Sequence, residues 1–176
     1  MKRLALVLVI GLVLTMSIGA LPALAQSAEP VTHPVEITPF VSTGSVLSPR
    51  VGAAIAFALT PKVSLEAEIG YRRGEIDALS SSVSLLYNLP QLGRVTPYLA
   101  GGVGLEQYGA PAVQPGGGIV ALSRMAFTIN AGGGLKVPID DTWGFRTDAR
   151  WFNGVGRNVG ESWRLYNGVT FGTGTR

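Results

Sequence analysis

The stretch Phe127–Trp151, FTINAGGGLKVPIDDTWGFRTDARW, decides how this chain folds. Side chains on a β-strand point alternately to its two faces, and here alternate residues form two sets, one for each face. Before Asp140-Asp141-Thr142 the sets are Phe127, Ile129, Ala131, Gly133, Leu135, Val137 and Ile139 against Thr128, Asn130, Gly132, Gly134 and Lys136. After it they are Trp143, Phe145, Thr147, Ala149 and Trp151 against Gly144, Arg146, Asp148 and Arg150. The alternation predicts two strands joined by a tight acidic turn.

The distribution of charge over the two faces favours a membrane-spanning hairpin. Each strand has about 10 residues, roughly the length that a tilted strand needs to cross a bilayer. One face carries Arg146, Asp148 and Arg150, and the other is apolar with Trp143 and Trp151 at its ends. Strands of transmembrane barrels present apolar side chains to lipid, polar ones to the lumen and aromatic ones to both interfaces. The alternative is a hairpin of a soluble barrel with a polar exterior.

The N-terminus has the three parts of a secretory signal peptide. Met1-Lys2-Arg3 is charged, Leu4–Ala20 is apolar, and Ala23-Leu24-Ala25 is a small-residue cleavage site. A retained membrane helix is the alternative, but Leu21-Pro22 breaks the apolar run just before the cleavage site. The chain is therefore divided into a cleaved signal peptide (1–25), an N-terminal lead (26–34) and a barrel domain (35–176).

Composition excludes some classes of function. Without Lys2 and Arg3, the 14 basic residues fall to 12, against 11 acidic ones, so charge gives no argument for a nucleic-acid partner. The chain contains no cysteine, so an exported protein of this sequence folds without disulfides. With no cysteine and one histidine, we expect no metal and no cofactor.

The same alternation recurs along the chain and predicts eight strands. The remaining strands are Val35–Ser42, Arg50–Thr60, Val63–Tyr71, Ala78–Tyr87, Val95–Gln107 and Ser162–Phe171, with Ile119–Met125 extending the first strand of the opening hairpin. Longer loops are expected at one end: Thr43–Ser48, Arg72–Asp77, Tyr108–Gly118 and Asn153–Glu161. Short turns are expected at the other. An even number of strands with this asymmetry predicts an all-β fold, an eight-stranded antiparallel up-and-down transmembrane β-barrel.

Four segments carry a resemblance to a known family. They are Thr96–Gly104, Asn130–Leu135, Trp143–Arg150 and Gly168–Phe171. With them the chain resembles the OmpA-like family of small outer-membrane β-barrels, the porin-family barrel domain, over nearly all of Val35–Phe171. The resemblance implies residence in the bacterial outer membrane, with outer-membrane lipid and the barrel assembly machinery as partners. It also implies a structural or adhesive role, and in some relatives a narrow pore.

The strand phases assign charged residues to the lumen and aromatic residues to the membrane interfaces. The predicted lumen charges are Glu36, Glu66, Glu68, Glu106, Lys136, Arg146, Asp148, Arg150 and Arg164. Charges in a narrow interior must be paired or hydrated, so we expect an ion-pair and water network that plugs the barrel. The predicted interface aromatics are Tyr71, Trp151 and Trp163 at the loop end, and Tyr87, Trp143 and Phe171 at the turn end.

The sequence carries no catalytic signature. Its one histidine, His33, lies in the N-terminal lead, so a hydroxyl nucleophile activated by a histidine base is not expected. We therefore expect a non-enzymatic outer-membrane protein with a structural, envelope-integrity role and surface loops. One alternative is a narrow porin-like channel for small solutes or ions, for which inward-facing small residues such as Gly52, Gly102, Gly132 and Gly134 would leave space. A second is a soluble periplasmic barrel that binds a lipid-like ligand, with its two faces inverted.

Overall fold

The structure, a computed structural model, describes residues 34–44, 49–74, 76–113, 119–155 and 160–173. The predicted signal peptide, all of the lead but its last residue, and His33 lie outside these ranges. No helix among the described residues is long and apolar enough to cross a membrane.

Eight strands form one closed antiparallel barrel, which confirms the predicted fold class. They are β1 (Val35–Gly44), β2 (Arg50–Ala58), β3 (Val63–Arg72), β4 (Asp77–Asn88), β5 (Thr96–Val113), β6 (Ile119–Pro138), β7 (Trp143–Val155) and β8 (Glu161–Thr173). Each strand pairs with its neighbours in chain order, and β1 pairs with β8 to close the ring. Closure leaves no free sheet edge within the ring of eight paired strands, and a free edge is what a hydrocarbon environment would not tolerate.

The two faces of the wall are sorted as the alternation predicts. In β4, Ser82 and Ser84 are buried in the interior, whereas Val83 and Leu85 are 47% and 53% exposed on the outside. The other strands repeat this arrangement, so the exterior is apolar and the interior is mostly polar, with two small apolar clusters around Phe40 and Phe152 and around Leu86. This rules out the inverted arrangement that a soluble barrel with an apolar lumen requires.

Asn167 is a polar residue on the apolar exterior, and the register explains how it is accommodated. It lies directly opposite Thr147 of β7, whose hydroxyl contacts the Asn167 Oδ1 at 3.1 Å. The same hydroxyl donates to the carbonyl of Tyr166 at 3.1 Å. A polar group that faces lipid costs less when it has a hydrogen-bonding partner, and the two side chains supply one to each other.

Pro39 lies within β1 without breaking the strand. The register with β2 continues through Pro39, opposite Ala53, but the pairing with β8 passes from Ile37–Phe171 directly to Phe40–Gly168. Proline has no N–H to donate, so it is tolerated where a ladder is interrupted. The interruption therefore lies in the pairing of β1 with β8, where the barrel closes.

The turn-end connections are tight and stabilised locally. Between β4 and β5, Leu92 and Val95 exchange backbone hydrogen bonds around Gly93-Arg94, and Gly93 has a φ of 64°. A positive φ at the first position of a two-residue hairpin turn favours glycine. Between β6 and β7, the Asp140 carboxylate accepts from the backbone N–H of Thr142 and Trp143 at 2.7 and 2.9 Å. These bonds lower the pKa of Asp140 below its ordinary value.

The loop-end connections are shorter than predicted, because the strands extend further than expected. They span 45–49, 73–76, 114–118 and 156–160, so they are similar in length to the turns 59–62 and 139–142 and shorter than the connection 89–95 at the other end. Tyr108–Val113, predicted as loop, belongs to β5, and Asn153–Val155 belongs to β7. Beyond Gly109, β5 pairs only with β6, as far as Val113 opposite Ile119. We call this two-stranded extension, residues 110–113 and 119–122, the β5–β6 ribbon.

Candidate functional site: a charged lumen

The interior of the barrel is filled by ion pairs that connect opposite walls. In a ring of eight strands β3 faces β7, and the acidic residues of β3 meet the arginines of β7 across the lumen. The innermost group, which we call the central cluster, consists of Glu66, Glu68, Arg146, Asp148 and Arg150. All five side chains are buried.

Arg146 connects three elements of the wall. Its guanidinium pairs with Glu66 through two nitrogens, of which Nη2 lies 3.2 Å from Oε1. It also donates to Asp148 at 3.0 Å from Nη2 and to the hydroxyl of Tyr98 at 2.7 Å from Nε. A planar guanidinium is suited to this because its donors have a fixed geometry.

Arg150 repeats the arrangement two inward positions further along β7, with Asp148 between it and Arg146. Its Nη2 donates to Glu66 at 2.7 Å, its Nε to Asp148 at 3.1 Å, and its Nη1 lies 3.5 Å from Glu68. The Glu66 carboxylate is thus shared between two arginines. Three acids against two bases leave the central cluster with a formal excess of one negative charge.

Two inward tyrosines complete the central cluster. The hydroxyl of Tyr98 donates to Asp148, and the hydroxyl of Tyr166 donates to Glu68 at 3.1 Å. The rings also lie against the cations: Arg146 is 4.9 Å from the Tyr98 centroid, and Arg150 is 5.3 Å from the Tyr166 centroid. Each tyrosine therefore satisfies a carboxylate with its hydroxyl and an arginine with its ring.

Separate ion pairs lie toward the two ends of the lumen. Toward the turns, Lys136 pairs with Glu36 at 2.5 Å. Toward the loops, Glu106 accepts from both Arg50 and Arg164 at 2.6 Å, a group we call the loop-end trio. The trio has one acid for two bases, so its formal excess is positive. The lumen is thus negative at its centre and positive near the loop end.

The small inward residues do not leave the open space that a channel would need. A Cβ at Gly134 would lie 2.3 Å from the Asp148 Cβ and 2.7 Å from the Tyr98 hydroxyl, and one at Gly52 would lie 2.5 Å from the Phe40 ring. Small residues therefore make room for large neighbours. The space left beside the central cluster is about 10 Å³, close to that of one water molecule.

The nine residues predicted as lumen charges all point into the barrel, and each takes part in an ion pair with another inward residue. The prediction omitted Arg50, which completes the loop-end trio with Glu106 and Arg164. Its position has the parity of Gly52 and Ala54, so the alternation of β2 could have identified it. Tyr98 and Tyr166 have the inward parity of their strands, but the alternation does not indicate that they join the charge network.

The six predicted interface aromatics lie near the two ends of the strands. Trp151 is opposite Trp163 at the loop end, and Trp143 is opposite Phe171 at the turn end. Tyr71 and Tyr87 are 42% and 47% exposed on the exterior of β3 and β4. The Tyr71 hydroxyl donates to Asp77 at 3.0 Å, and the Trp151 indole donates to Glu161 at 3.3 Å. Aromatics that are apolar on one side and hydrogen-bonded on the other suit a membrane interface.

Comparisons with known proteins identify the fold. No profile of a known protein family matches the chain, and no curated protein sequence does. The N-terminal β-barrel domain of Pseudomonas aeruginosa OprF is similar in structure, with a TM-score of 0.64, 20% identity, and coverage of 79% of this chain and 96% of that one.

Two further solved structures are similar. Neisserial surface protein A has a TM-score of 0.60 and 13% identity, with 79% of this chain and 94% of that one covered. The outer-membrane enzyme PagL has a TM-score of 0.50 and 13% identity, with 78% of this chain and 99% of that one covered. At these identities the likeness concerns the fold: the chain is an eight-stranded barrel of the kind found in bacterial outer membranes.

Proposed function

We propose that this protein is a non-enzymatic barrel of the bacterial outer membrane, exported through a cleaved signal peptide, with a structural role in the envelope. The observation that carries the proposal is the lumen, whose central cluster connects opposite walls and leaves about 10 Å³ of space. An apolar exterior with aromatics at both ends supports the membrane location. A plugged barrel can stabilise the membrane and present loops, but it offers solutes no open path.

The arrangement of the lumen also argues against catalysis. The described residues contain no group of three side chains suited to bind a metal ion. Of the inward serines of β4, Ser80 contacts Arg50 and Ser84 contacts Asn130, and the described ranges contain no histidine to act as a base. PagL shows that this fold can support an enzyme, so the argument depends on the lumen of this chain and not on its fold.

A leakage assay tests the structural role. In a strain that lacks the protein, we expect increased entry of an apolar dye that the intact outer membrane excludes, and restoration by the wild-type gene. Uptake of small hydrophilic solutes should not fall. The opposite result, reduced solute uptake with unchanged dye exclusion, would favour the narrow channel and contradict the structural role.

A further inference from the structure

The loop end of the lumen holds a cavity that the plug does not fill, which we call the outer vestibule. It encloses about 170 Å³, room for several water molecules. Its lining includes three arginines, Arg50, Arg72 and Arg164, and a single acid, Glu106. The formal charge of its lining is therefore +2.

The loops around the vestibule do not cancel this charge. Outside the lining, the sequence at the loop end has three basic and three acidic residues: Arg73, Arg124 and Arg157 against Glu75, Asp77 and Glu161. The only acid in the lining, Glu106, is already shared by Arg50 and Arg164 at 2.6 Å each. The positive excess thus belongs to the vestibule itself.

Arg72 is the arginine of the lining that makes no ion pair among the described residues, although the exposed carboxylate of Asp77 lies near enough to interact with its charge. It lies directly opposite Arg50 in the pairing of β2 with β3, and like charges at such positions repel. The other two facing pairs of inward cations, Lys136 with Arg146 and Arg150 with Arg164, each have carboxylates of the lumen bound to both members. Among the described residues, no carboxylate lies within ion-pair distance of Arg72.

One hydrogen-bond donor of the Arg72 guanidinium also lacks an acceptor among the described residues. Its Nε is buried and has no hydrogen-bond acceptor among the described residues, and its Nη2 reaches only the carbonyl of Ile76 at 3.5 Å. A buried donor without an acceptor is costly. An anion in the vestibule, which Arg72 lines, would give its guanidinium an acceptor and would screen the repulsion between Arg72 and Arg50.

We propose that the outer vestibule binds a small dissolved anion that carries a phosphate group, such as inorganic phosphate or a phosphate monoester. Arg72 would supply the primary charge-assisted contact, and Arg50 and Arg164 would add to the positive field. The hydroxyls of Ser42 and Ser162 in the same lining could donate to its remaining oxygens. Because the vestibule lies inside the ring of strands, its ligand comes from the external solution and not from a lipid headgroup beside the wall.

A titration of inorganic phosphate, followed by ³¹P nuclear magnetic resonance on the chain folded in neutral detergent micelles, tests the site. We expect saturable binding that chloride at matched ionic strength does not reproduce. Arg72→Gln should weaken binding roughly tenfold, the loss of about one charge-assisted hydrogen bond. Arg94→Gln, which removes a cation from the opposite end of the barrel, should leave binding unchanged. Absence of saturation, or equal losses in the two variants, would overturn the proposal.

A second variant should bind phosphate more tightly than the wild type. Glu106→Gln removes the only acid from the lining, so phosphate should bind more tightly and should restore some of the stability that the variant loses. Weaker phosphate binding in a folded Glu106→Gln protein would contradict the site. Micelles containing phosphatidylglycerol identify the source of the phosphate: we expect no competition, and displacement of inorganic phosphate by that lipid would overturn the assignment to a dissolved anion.

Discussion

At the scale of single residues, the lumen is a set of charges that depend on one another. Glu66 and Arg150 have side chains that are each 1% exposed, and neither has access to enough water to stand alone. A buried ion pair contributes little net stability compared with an apolar pair, but the loss of one partner leaves the other uncompensated. The charges therefore determine which arrangement of the lumen is stable more than they determine overall stability.

Replacing Glu66 with glutamine should be among the most damaging single changes in the barrel. It leaves two arginines without their shared carboxylate, so the free energy of unfolding should fall by about 3–5 kcal/mol. Urea unfolding of the chain folded into lipid vesicles measures the loss. Lys62→Gln, at an exposed turn, is the control and should change stability by no more than about 0.5 kcal/mol. Equal effects of the two variants would contradict the network.

The close approach at Gly134 gives a steric prediction. Gly134→Ala places a Cβ 2.3 Å from the Asp148 Cβ, so we expect a loss of about 1–3 kcal/mol from overpacking. Gly101→Ala is the matched control on the neighbouring strand, because its Cβ would have a single neighbour, at 3.9 Å. The same unfolding assay compares the two variants. If the two variants lose similar amounts of stability, the lumen accommodates a methyl group at Gly134 and the prediction is wrong.

The sequence alone predicts which face of a strand a charged residue occupies, but not which residue it pairs with. The face on which a charge lies follows from alternation, so the inward positions could be assigned from the sequence alone. The partner of each charge could not, because Glu66 and Arg146 are 80 positions apart and meet only through the tilt and closure of the ring. Arg50 was omitted because it begins a strand whose other inward residues are small.

At the scale of elements, the turns and strand ends determine how far the barrel projects from the membrane. Tyr108–Val113 was predicted as loop because Pro111 and three consecutive glycines, Gly116–Gly118, suggest a break in pairing. In the structure Pro111 lies opposite Ala121 in the β5–β6 ribbon, beyond the end of β4 pairing at Gly109. A proline is tolerated there because β5 has a partner on one side only.

The β5–β6 ribbon should be dispensable for the barrel. A two-stranded ribbon without further partners adds little stability, so replacing residues 111–121 with Asn-Gly should change the free energy of unfolding by less than about 1 kcal/mol. The comparison of urea midpoints between the shortened and full chains tests this. A loss of several kcal/mol would show that the ribbon packs against the rest of the molecule.

The acidic turn between β6 and β7 gives a pH dependence. Because backbone N–H groups lower the pKa of Asp140, its contribution to stability is present above the ordinary value of 3.8 and is lost as the pH falls through the lowered value. Asp140→Ala should therefore be less stable than the wild type at pH 7. The difference should shrink as the pH falls well below 3.8. A difference that is the same in urea titrations at both pH values would contradict this role.

At the scale of the whole molecule, closure and plugging solve two problems of a small membrane barrel. Closure pairs the backbone groups of the wall within the sheet, and the apolar exterior then meets lipid at little cost. The interior left by eight strands is narrow enough for side chains to fill, and here mainly charged side chains, tyrosines and serines fill it, with Phe40, Phe152 and Leu86. The positive vestibule above the central cluster is the part of the lumen that remains open to ligands.

The most direct test of this account is the ion conductance of planar bilayers that contain the folded chain, whose insertion is verified by its heat-modifiable mobility on gels. Because the central cluster occupies the lumen, we expect no steady conductance at any applied voltage. Glu66→Gln should produce at most brief, irregular openings as the network is disturbed. A steady, ohmic conductance of the wild-type protein would contradict the account, since ions would then have a continuous path past Glu66, Arg146 and Arg150.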